Sequence, residues 1–518
     1  MRALLGTAVL LFSLAAFAQS EPVTLVLITD GANEAAGTIA LRATLRNESA
    51  AAASDVTVRI GVSSPDLATV EALDAAHCSV VEGMSLCSVP TLAPRQSVTF
   101  DYVLHFPRHA GRVIASAIAG YELTPGEPRS AHASVAVTLW RSFTVTNTDD
   151  DGAGSLRAAI GAINADPACA DLPCRVVFAI APAAAGEWRT IALQSPLPEL
   201  VAGDVAVDAT TQANTNPLGP DVELLGTALR TGSGLRIRAG RAEVRGMAIG
   251  GFPHDGIFCQ PIGAGSVLTI EGNYIGVDAA GTRAVANGGR GIVTGEGLLR
   301  DSSIRGNVVS GNARSGLFID SGADLPLVKE LTIVGNRIGV AAASDDPIGN
   351  GASGIFIGPR AQQVAIDNNV IGSNRHMGVA VARTATWISS GENRIFGHPG
   401  LAYDIGLDGP DASAPAVIES AHYDPATGIT TITGRGEPSS FPRFEYRFYA
   451  NREVDGAGYA EAERPIGSTV PDRDGRFRLN VHEDLRGQFI DAQILFRYDI
   501  DTSVFETSGE FLRAVPVE

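Results

Sequence analysis

The chain has 518 residues, with 39 basic and 57 acidic side chains and a formal net charge of −18 at pH 7. This balance argues against nucleic acid or an anionic membrane surface as the main partner, because both attract basic proteins. Lys329 is the one lysine of the sequence, so Schiff-base catalysis would depend on it alone. The 58 glycines and the aromatic content of 6% predict a turn-rich, all-β protein.

The first twenty residues have the pattern of a secretory signal peptide. Arg2 precedes an apolar stretch from Leu4 to Phe17, and the small-x-small sequence around Phe17 predicts cleavage after residue 18. An uncleaved anchor is disfavoured because the apolar run is too short to cross a bilayer. We therefore expect a protein without a membrane span that is secreted or held at the cell surface.

Residues 19–140 are predicted to form a small β-sandwich, because short β-prone runs alternate there with turns. Cys78 and Cys87 lie nine residues apart around Gly83. That spacing predicts a disulfide across a hairpin in an exported protein. The run from Cys87 to Phe100 resembles the bacterial surface-protein repeats of the DUF11 type. The resemblance implies an immunoglobulin-like spacer domain.

The next segment predicts one short helix followed by a strand at residues 176–180. Ser155 can cap the helix, and its apolar positions follow the i, i+3, i+4, i+7 rule: Leu156, Ala159, Ile160 and Ile163. We expect the helix to close the open end of a stack of strands. The segment resembles the CSLREA-type motif that opens secreted bacterial β-helix proteins, although Gly154 and Ala158 replace the Cys and the Glu of that motif.

Three further cysteines follow. Cys169 and Cys174 lie five residues apart around Asp171 and Pro173, so we predict a disulfide that closes this loop. Cys259 is left without a partner inside an apolar stretch. No His or Asn pattern accompanies it, so we expect a buried thiol and not a nucleophile.

An internal repeat covers residues 244–405. Its first element reads Ile-x-x-Asn-x-(Ile/Val), with the asparagines at Asn273, Asn307, Asn336 and Asn369. A longer period is superimposed, because Asn273 and Asn336 lie 63 residues apart. Each unit of that period holds two rungs, one with a long loop (277–290 and 340–353) and one with a short link.

Short apolar strands, glycine turns and one recurring asparagine are typical of a parallel β-helix, in which each rung pairs with the next at about 4.8 Å. We expect the four asparagines to stack in one column, with hydrogen bonds between their side-chain amides along the stack and left-handed backbone at these positions. The repeat resembles the secreted right-handed β-helix proteins with the pectin-lyase-like fold. We expect this solenoid over residues 141–410.

Residues 411–518 are predicted to form a second β-sandwich. Aromatic and aliphatic residues alternate there in three runs, and the turn from Asp472 to Gly475 joins two of them. The predicted fold class is therefore all-β, a right-handed parallel β-helix flanked by two small β-sandwich domains. The segment resembles the module that commonly follows these solenoids.

The resemblance to pectin-lyase-like proteins implies lyases, hydrolases, epimerases or non-catalytic binders, so the fold leaves function open. The candidate catalytic residues are His254, Asp255, Asp278, Arg283, Asp345 and Asp346. Asp278, Asp345 and Asp346 are also the candidate ligands of a calcium ion. The alternative interpretation is that these are solvated loop charges. Arg305, Arg337 and Arg394 occupy rung positions beside the predicted ladder, where we expect surface charges. A groove in which Asp255, Asp278 or Asp345 meets an arginine would favour catalysis.

Two functions of different classes follow. The first is a non-catalytic extracellular protein, a monomer that binds a polysaccharide or a cell-surface glycan. The second is a polysaccharide lyase or a related carbohydrate-active enzyme. The negative charge predicts a glycan that is neutral, or acidic and bridged by calcium. We expect the glycan to lie along the solenoid, beside loops 277–290 and 340–353.

Overall fold

The computed structural model describes residues 22–518 except for 75, 82–83, 182–183, 261–265, 295–300, 321–327, 407–415, 437–442, 455–457 and 501–502. The predicted signal peptide and the domain boundary predicted between residues 410 and 411 lie outside the described residues. The chain divides into two compact units, Met1–Arg141 and Ser142–Glu518.

The first unit is a sandwich of two antiparallel sheets. Its strands are β1 (Val23–Asn33), β2 (Thr38–Asn47), β3 (Ala53–Val62), β4 (Thr69–Ala72), β5 (Cys78–Val81), β6 (Met84–Leu92), β7 (Ser97–His105), β8 (Gly111–Glu122) and β9 (Pro128–Leu139). The sheet orders are β1-β2-β7-β4 and β5-β6-β3-β8-β9. Alternate side chains of both sheets, such as Leu41 and Val58, are buried in one core. A disulfide joins Cys78 of β5 to Cys87 of β6.

The second unit begins with one helix, α1 (Leu156–Ala165), and 24 short strands that form a solenoid. The strands are β10 (Arg141–Val145), β11 (Pro173–Phe178), β12 (Arg189–Ala192), β13 (Asp204–Asp208), β14 (Val222–Leu225), β15 (Leu235–Ile237), β16 (Arg241–Arg245), β17 (Met247–Gly250), β18 (Ile257–Cys259), β19 (Val267–Glu271), β20 (Tyr274–Ile275), β21 (Ile292–Thr294), β22 (Ser302–Arg305), β23 (Val308–Val309), β24 (Leu317–Ile319), β25 (Val328–Val334), β26 (Arg337–Ile338), β27 (Ile355–Ile357), β28 (Ala361–Asp367), β29 (Val370–Gly372), β30 (Val379–Val381), β31 (Thr386–Ser390), β32 (Arg394–Phe396) and β33 (Tyr403–Ile405).

These strands form three long sheets of a parallel β-helix. The first sheet has the order β10-β11-β13-β16-β19-β22-β25-β28-β31, the second β12-β14-β17-β20-β23-β26-β29-β32, and the third β15-β18-β21-β24-β27-β30-β33. Equivalent apolar residues pair in register from rung to rung, as Ile270 with Ile304 and Ile304 with Ile333. Their side chains point inward and are fully buried, so each rung adds one layer to a continuous core.

Helix α1 covers the first rungs of this core. The Ser155 side chain accepts a hydrogen bond from the Ala158 N–H, and Leu156, Ala159, Ile160 and Ile163 are buried, as the sequence predicts. These four side chains join the solenoid core. The disulfide between Cys169 and Cys174 ties the turn after α1 to β11. Among the described residues, no helix is long and apolar enough to span a membrane.

A second sandwich follows the solenoid. Its strands are β34 (Val417–Asp424), β35 (Ile429–Arg435), β36 (Arg443–Asn451), β37 (Arg464–Thr469), β38 (Arg476–Val481), β39 (Phe489–Ile500), β40 (Ser503–Phe511) and β41 (Val515–Pro516). One sheet has the order β34-β35-β38, and the other has the order β37-β36-β39-β40 with β41 paired to β39. Side chains of both sheets, including Ile432 and Tyr446, pack in a common core.

This sandwich covers the last rung of the solenoid. The Ser390 N–H of β31 donates to the Ser508 hydroxyl at 2.7 Å, and the Ile395 N–H of β32 donates to the Ala462 carbonyl at 2.8 Å. Tyr449, Ala462 and Phe511 join the solenoid core. Both ends of the stack are therefore covered. The strand edges of the end rungs are then not available to pair with other chains.

Two ladders of buried asparagines run along the corners of the solenoid. In the first, each Nδ2 donates to the Oδ1 of the next rung at 2.9–3.1 Å through Asn273, Asn307, Asn336, Asn369 and Asn393. The left-handed backbone lies one residue earlier than we expected, for example at Gly306 (φ +62°). A glycine adopts that conformation without the steric cost of a Cβ, so the asparagine itself keeps ordinary backbone angles.

The second ladder lies between the second and third sheets. Its members are Asn287, Asn312, Asn350 and Asn374, joined by amide hydrogen bonds of 2.8–2.9 Å. The ladder ends at His398, whose Nε2 lies 3.1 Å from the Asn374 Nδ2. On the other side of the ring, His398 Nδ1 lies 3.2 Å from Glu461 Oε1 of the C-terminal sandwich.

Candidate functional site

The long loops of the 63-residue repeat stack on one another beside the second sheet. The Ala342 N–H donates to the Gly281 carbonyl at 2.9 Å, so the loops predicted to lie on the same side are in contact. A third loop precedes them in the chain and contacts the first of them, because Asn216 Nδ2 donates to the Ala279 carbonyl at 2.8 Å. We call residues 213–220, 277–286 and 340–348 the loop wall. Its two repeat loops follow β20 and β26, which lie two strand spacings apart in the second sheet, or about 10 Å.

Asp345 of the loop wall binds two arginines at once. Its Oδ1 lies 3.0 Å from Arg337 Nη2, and its Oδ2 lies 2.9 Å from Arg394 Nη2. Arg337 and Arg394 occupy the same outward position of the second sheet, two rungs apart with Val370 between them. Burial raises the pKa of Asp345, but the hydrogen bonds from Arg394 and Arg337 outweigh it and lower the pKa below its ordinary value.

The other predicted loop carboxylates close their own loops. Asp278 is buried, and its Oδ1 accepts from the N–H groups of Thr282 and Arg283 at 2.9 and 3.2 Å. The Arg283 Nε lies 3.6 Å from Asp278 Oδ2, with most of its side chain in solvent. Asp346 accepts from the Ser344 hydroxyl at 2.6 Å. These contacts are those of turn-stabilising side chains.

His254 and Asp255 lie at the start of the third sheet. Asp255 Oδ1 accepts from the Arg290 N–H at 2.7 Å, and His254 Nε2 lies 3.2 Å from the Thr231 hydroxyl. The structure thus places the six predicted residues in separate local groups with their own partners.

The carboxylates do not gather as calcium ligands would. Across the part of the chain that the structure describes, no group of three or more His, Cys, Asp or Glu side chains could hold a metal ion. Asp345 faces two guanidinium groups and Asp278 faces backbone N–H groups, whereas a calcium site needs several oxygens directed at one point. The residues predicted to bind calcium therefore do not fit that ion.

An open groove lies where the loop wall meets the C-terminal sandwich. Its volume is about 770 Å³, within the range of ligand-binding clefts. We call it the junction groove; its lining residues are Asp345, Asp346, Ser373, Arg394, Phe396, Ala450, Arg452, Glu463, Arg464 and Gln488. A second groove, of about 370 Å³, lies at the other end of the loop wall beside Tyr274 and the glycine turns at Gly272 and Gly306.

Sequence reasoning identified Asp345 and Asp346 of the junction groove but missed Phe396, Arg452, Glu463, Arg464 and Gln488. From the sequence, Arg394 is expected to be a surface charge beside the ladder. The signal that could have found it is the register of the repeat, because Arg394 occupies the same position as Arg337 in the rung pattern. The sandwich residues carry no such repeat. Only the docking of the sandwich places them in the groove.

The pair of His398 and Glu461 has the composition of a catalytic dyad but not its geometry. His398 Nε2, the nitrogen that would transfer a proton, is occupied by Asn374 inside the ladder. The His398 side chain is fully buried. A general base must reach the proton that it removes, so we assign this pair a structural role.

No protein-family model matches the chain, and no curated protein matches it. The solved structures that match include the A-module of mannuronan C-5 epimerase AlgE6 from Azotobacter vinelandii, with 15% identity, 52% of this chain and 97% of that chain covered, and a TM-score of 0.24. The Agl-KA catalytic domain matches with 11% identity, coverage of 74% and 75%, and a TM-score of 0.22.

The exo-β-N-acetylglucosaminidase of Vibrio harveyi matches with 13% identity and a TM-score of 0.14, and the match covers 21% of this chain and 17% of that protein. TM-scores this low carry no argument about how this chain works. The resemblances to DUF11-type repeats and to the CSLREA-type motif stay predictions.

Proposed function

We propose that this protein is a non-catalytic, extracellular glycan-binding protein. The observation that carries the proposal is the loop wall with a groove at each end, built on the repeating rungs of the solenoid. Tyr274 and Arg394, which line the two grooves, are four strand spacings apart in one column. That distance is about 19 Å, so an elongated polymer can reach both grooves at once.

The chemistry of the grooves supports a sugar ligand. Hydroxyl groups both donate and accept hydrogen bonds, and the junction groove offers arginine donors next to carboxylate acceptors. The two disulfides fit an extracellular protein. The net charge of −18 disfavours strongly anionic polymers.

A polysaccharide lyase is the second candidate, and one observation favours it. Asp345 meets Arg337 and Arg394 beside one groove, and an arginine beside a carboxylate is the arrangement that can hold a sugar acid. Against this, the lowered pKa of Asp345 makes it a weak base for removing a proton. We therefore give the binding function precedence.

Affinity electrophoresis and a glycan array test the binding function directly. The wild-type protein should be retained by at least one polysaccharide, and Asp345→Asn should weaken that binding about tenfold by releasing two arginines from their shared partner. Asp101→Asn is the matched control, because Asp101 forms an ion pair with Arg42 at 2.7 Å in the first unit. A wild-type protein that no glycan retains would refute the proposal.

The lyase has its own assay. Polyuronates incubated with the protein should give no increase in the ultraviolet absorbance of unsaturated products, with or without calcium. An increase that Asp345→Asn abolishes would replace the binding function with catalysis.

A further inference from the structure

We infer that the junction groove binds a neutral sugar residue, and that the C-terminal sandwich forms half of this binding site. The inference rests on the proposed function and adds the ligand class and the place of the main subsite. Its physical basis is the balance of charge in the groove, the half-buried ring of Phe396 at the groove surface, and the fact that the two walls come from different parts of the chain.

The two walls of the groove come from different parts of the second unit. The loop wall contributes Asp345 and Asp346, and the sandwich contributes Arg452, Glu463 and Arg464. Arg394 spans them, since its Nη2 binds Asp345 at 2.9 Å and its Nε donates to the Glu463 carbonyl at 3.2 Å. Removing the sandwich would therefore open the groove on one side.

The contacts between the sandwich and the last rung make this geometry rigid. The His398 N–H donates to Glu461 Oε1 at 2.7 Å, and the Gly397 N–H donates to Glu461 Oε2. Arg447 Nη1 donates to the Ser390 carbonyl at 2.9 Å. A groove held in this way needs little reorganisation when a ligand enters, which favours binding.

The charges that line the groove cancel. Three arginines (Arg394, Arg452 and Arg464) face three carboxylates (Asp345, Asp346 and Glu463). Arg452 forms a two-point ion pair with Glu463 at 3.1–3.2 Å, and Arg464 forms another with Glu483 at 2.9 Å. An anionic sugar would have to break such pairs and would meet a chain of net charge −18.

A neutral sugar avoids that cost. Vicinal hydroxyls can donate to the carboxylates and accept from the guanidinium groups without separating the ion pairs. The Phe396 ring supplies an apolar surface beside them, with the Arg394 guanidinium 5.3 Å from its centroid. The amide of Gln488 adds a donor and an acceptor on the sandwich side.

Isothermal titration with neutral oligosaccharides (cello-, xylo- and manno-hexaose) and a hexauronate tests the inference on the full chain. Phe396→Leu keeps an apolar side chain and removes the ring, and Arg464→Gln removes one guanidinium from the sandwich wall. Each should weaken binding of the best neutral hexaose about tenfold. Arg435→Gln is the control, because Arg435 pairs with Glu419 on the same sandwich and does not line the groove.

The outcomes separate the two proposals. If the wild type binds a neutral hexaose and both groove variants bind it equally well, the sugar does not bind in the junction groove, while the proposed binding function stands. Tighter binding of the hexauronate than of every neutral hexaose would overturn the assigned ligand class. If no saccharide binds the wild type, the proposed function itself fails.

Discussion

Asn374 Nδ2 donates to His398 Nε2 across the last two rungs of the solenoid, at 3.1 Å. The orientation of the amide is set by its other side, because Asn374 Oδ1 accepts from Asn350 Nδ2 at 2.8 Å. His398 therefore accepts at Nε2 and donates from Nδ1 to Glu461. One imidazole thus connects the asparagine ladder to the C-terminal sandwich.

Replacing His398 by leucine removes one hydrogen bond from the Asn374 amide and one from the Glu461 carboxylate, because the imidazole contacts both. We expect His398→Leu to lower the free energy of unfolding by about 1–3 kcal/mol, measured by urea denaturation. The control is His422→Leu, at an exposed strand position of the same sandwich. Equal stability of both variants would contradict the structural role of His398.

The first ladder predicts a similar loss at Asn307. Its Nδ2 donates to Asn336 Oδ1 at 2.9 Å and its Oδ1 accepts from the Asn273 N–H at 2.9 Å. Asn307→Leu should therefore cost about 1–3 kcal/mol of unfolding free energy. Asn214→Leu, at an exposed position of the solenoid, should change it by less than about 0.5 kcal/mol. A wild-type midpoint for Asn307→Leu would show that the ladder adds no stability.

Asp491 predicts a dependence of stability on pH. It is fully buried against the solenoid side of the sandwich, its Oδ1 accepts from Asn451 Nδ2 at 2.9 Å, and burial raises its pKa from 3.8 to about 8. The unfolded chain loses this proton near pH 4, whereas the folded chain keeps it to about pH 8. The free energy of unfolding should therefore fall as pH rises through this window.

Asp491→Asn removes that titration and keeps the shape of the side chain. The free energy of unfolding of this variant, minus that of the wild type, should increase from pH 5 to pH 9 by on the order of a few kcal/mol. The gain can be measured by thermal unfolding at both pH values. Asp484→Asn serves as the control, because Asp484 is an exposed partner of Arg486 with a lowered pKa. An equal gain at both pH values would refute the ionisation argument.

Cys259 predicts selective protection from alkylation. The thiol is buried in the solenoid core, and burial raises its pKa to about 12. Iodoacetamide at pH 8 should therefore label no cysteine of the native protein and one cysteine after unfolding without reductant. Mass spectrometry of the two samples measures this, with Cys259→Ala as the control that gains no label. A Cys259 found in a disulfide would contradict the assigned pairing.

Much of the solenoid could be predicted from the sequence because its determinants are local. The apolar alternation of each rung, the asparagines that follow the left-handed glycines Gly272, Gly306 and Gly335, and the capping pattern of α1 all lie within a few residues. The sequence indicates the second ladder only in part. Asn287 and Asn350 repeat at 63 residues, but the last position of the ladder holds His398 in place of an asparagine. A pattern of repeating asparagines does not predict that a histidine takes the last position.

The junction groove, by contrast, depends on contacts that no local pattern contains. Asp345 meets Arg394 across 49 residues, and Ser390 meets Ser508 across 118. The sequence by itself therefore determined the repeating rungs, since each rung must bury its own apolar residues and pair with the next. Only the tertiary structure decided which charges pair, because that depends on the path of each loop and on how the C-terminal sandwich covers the last rung.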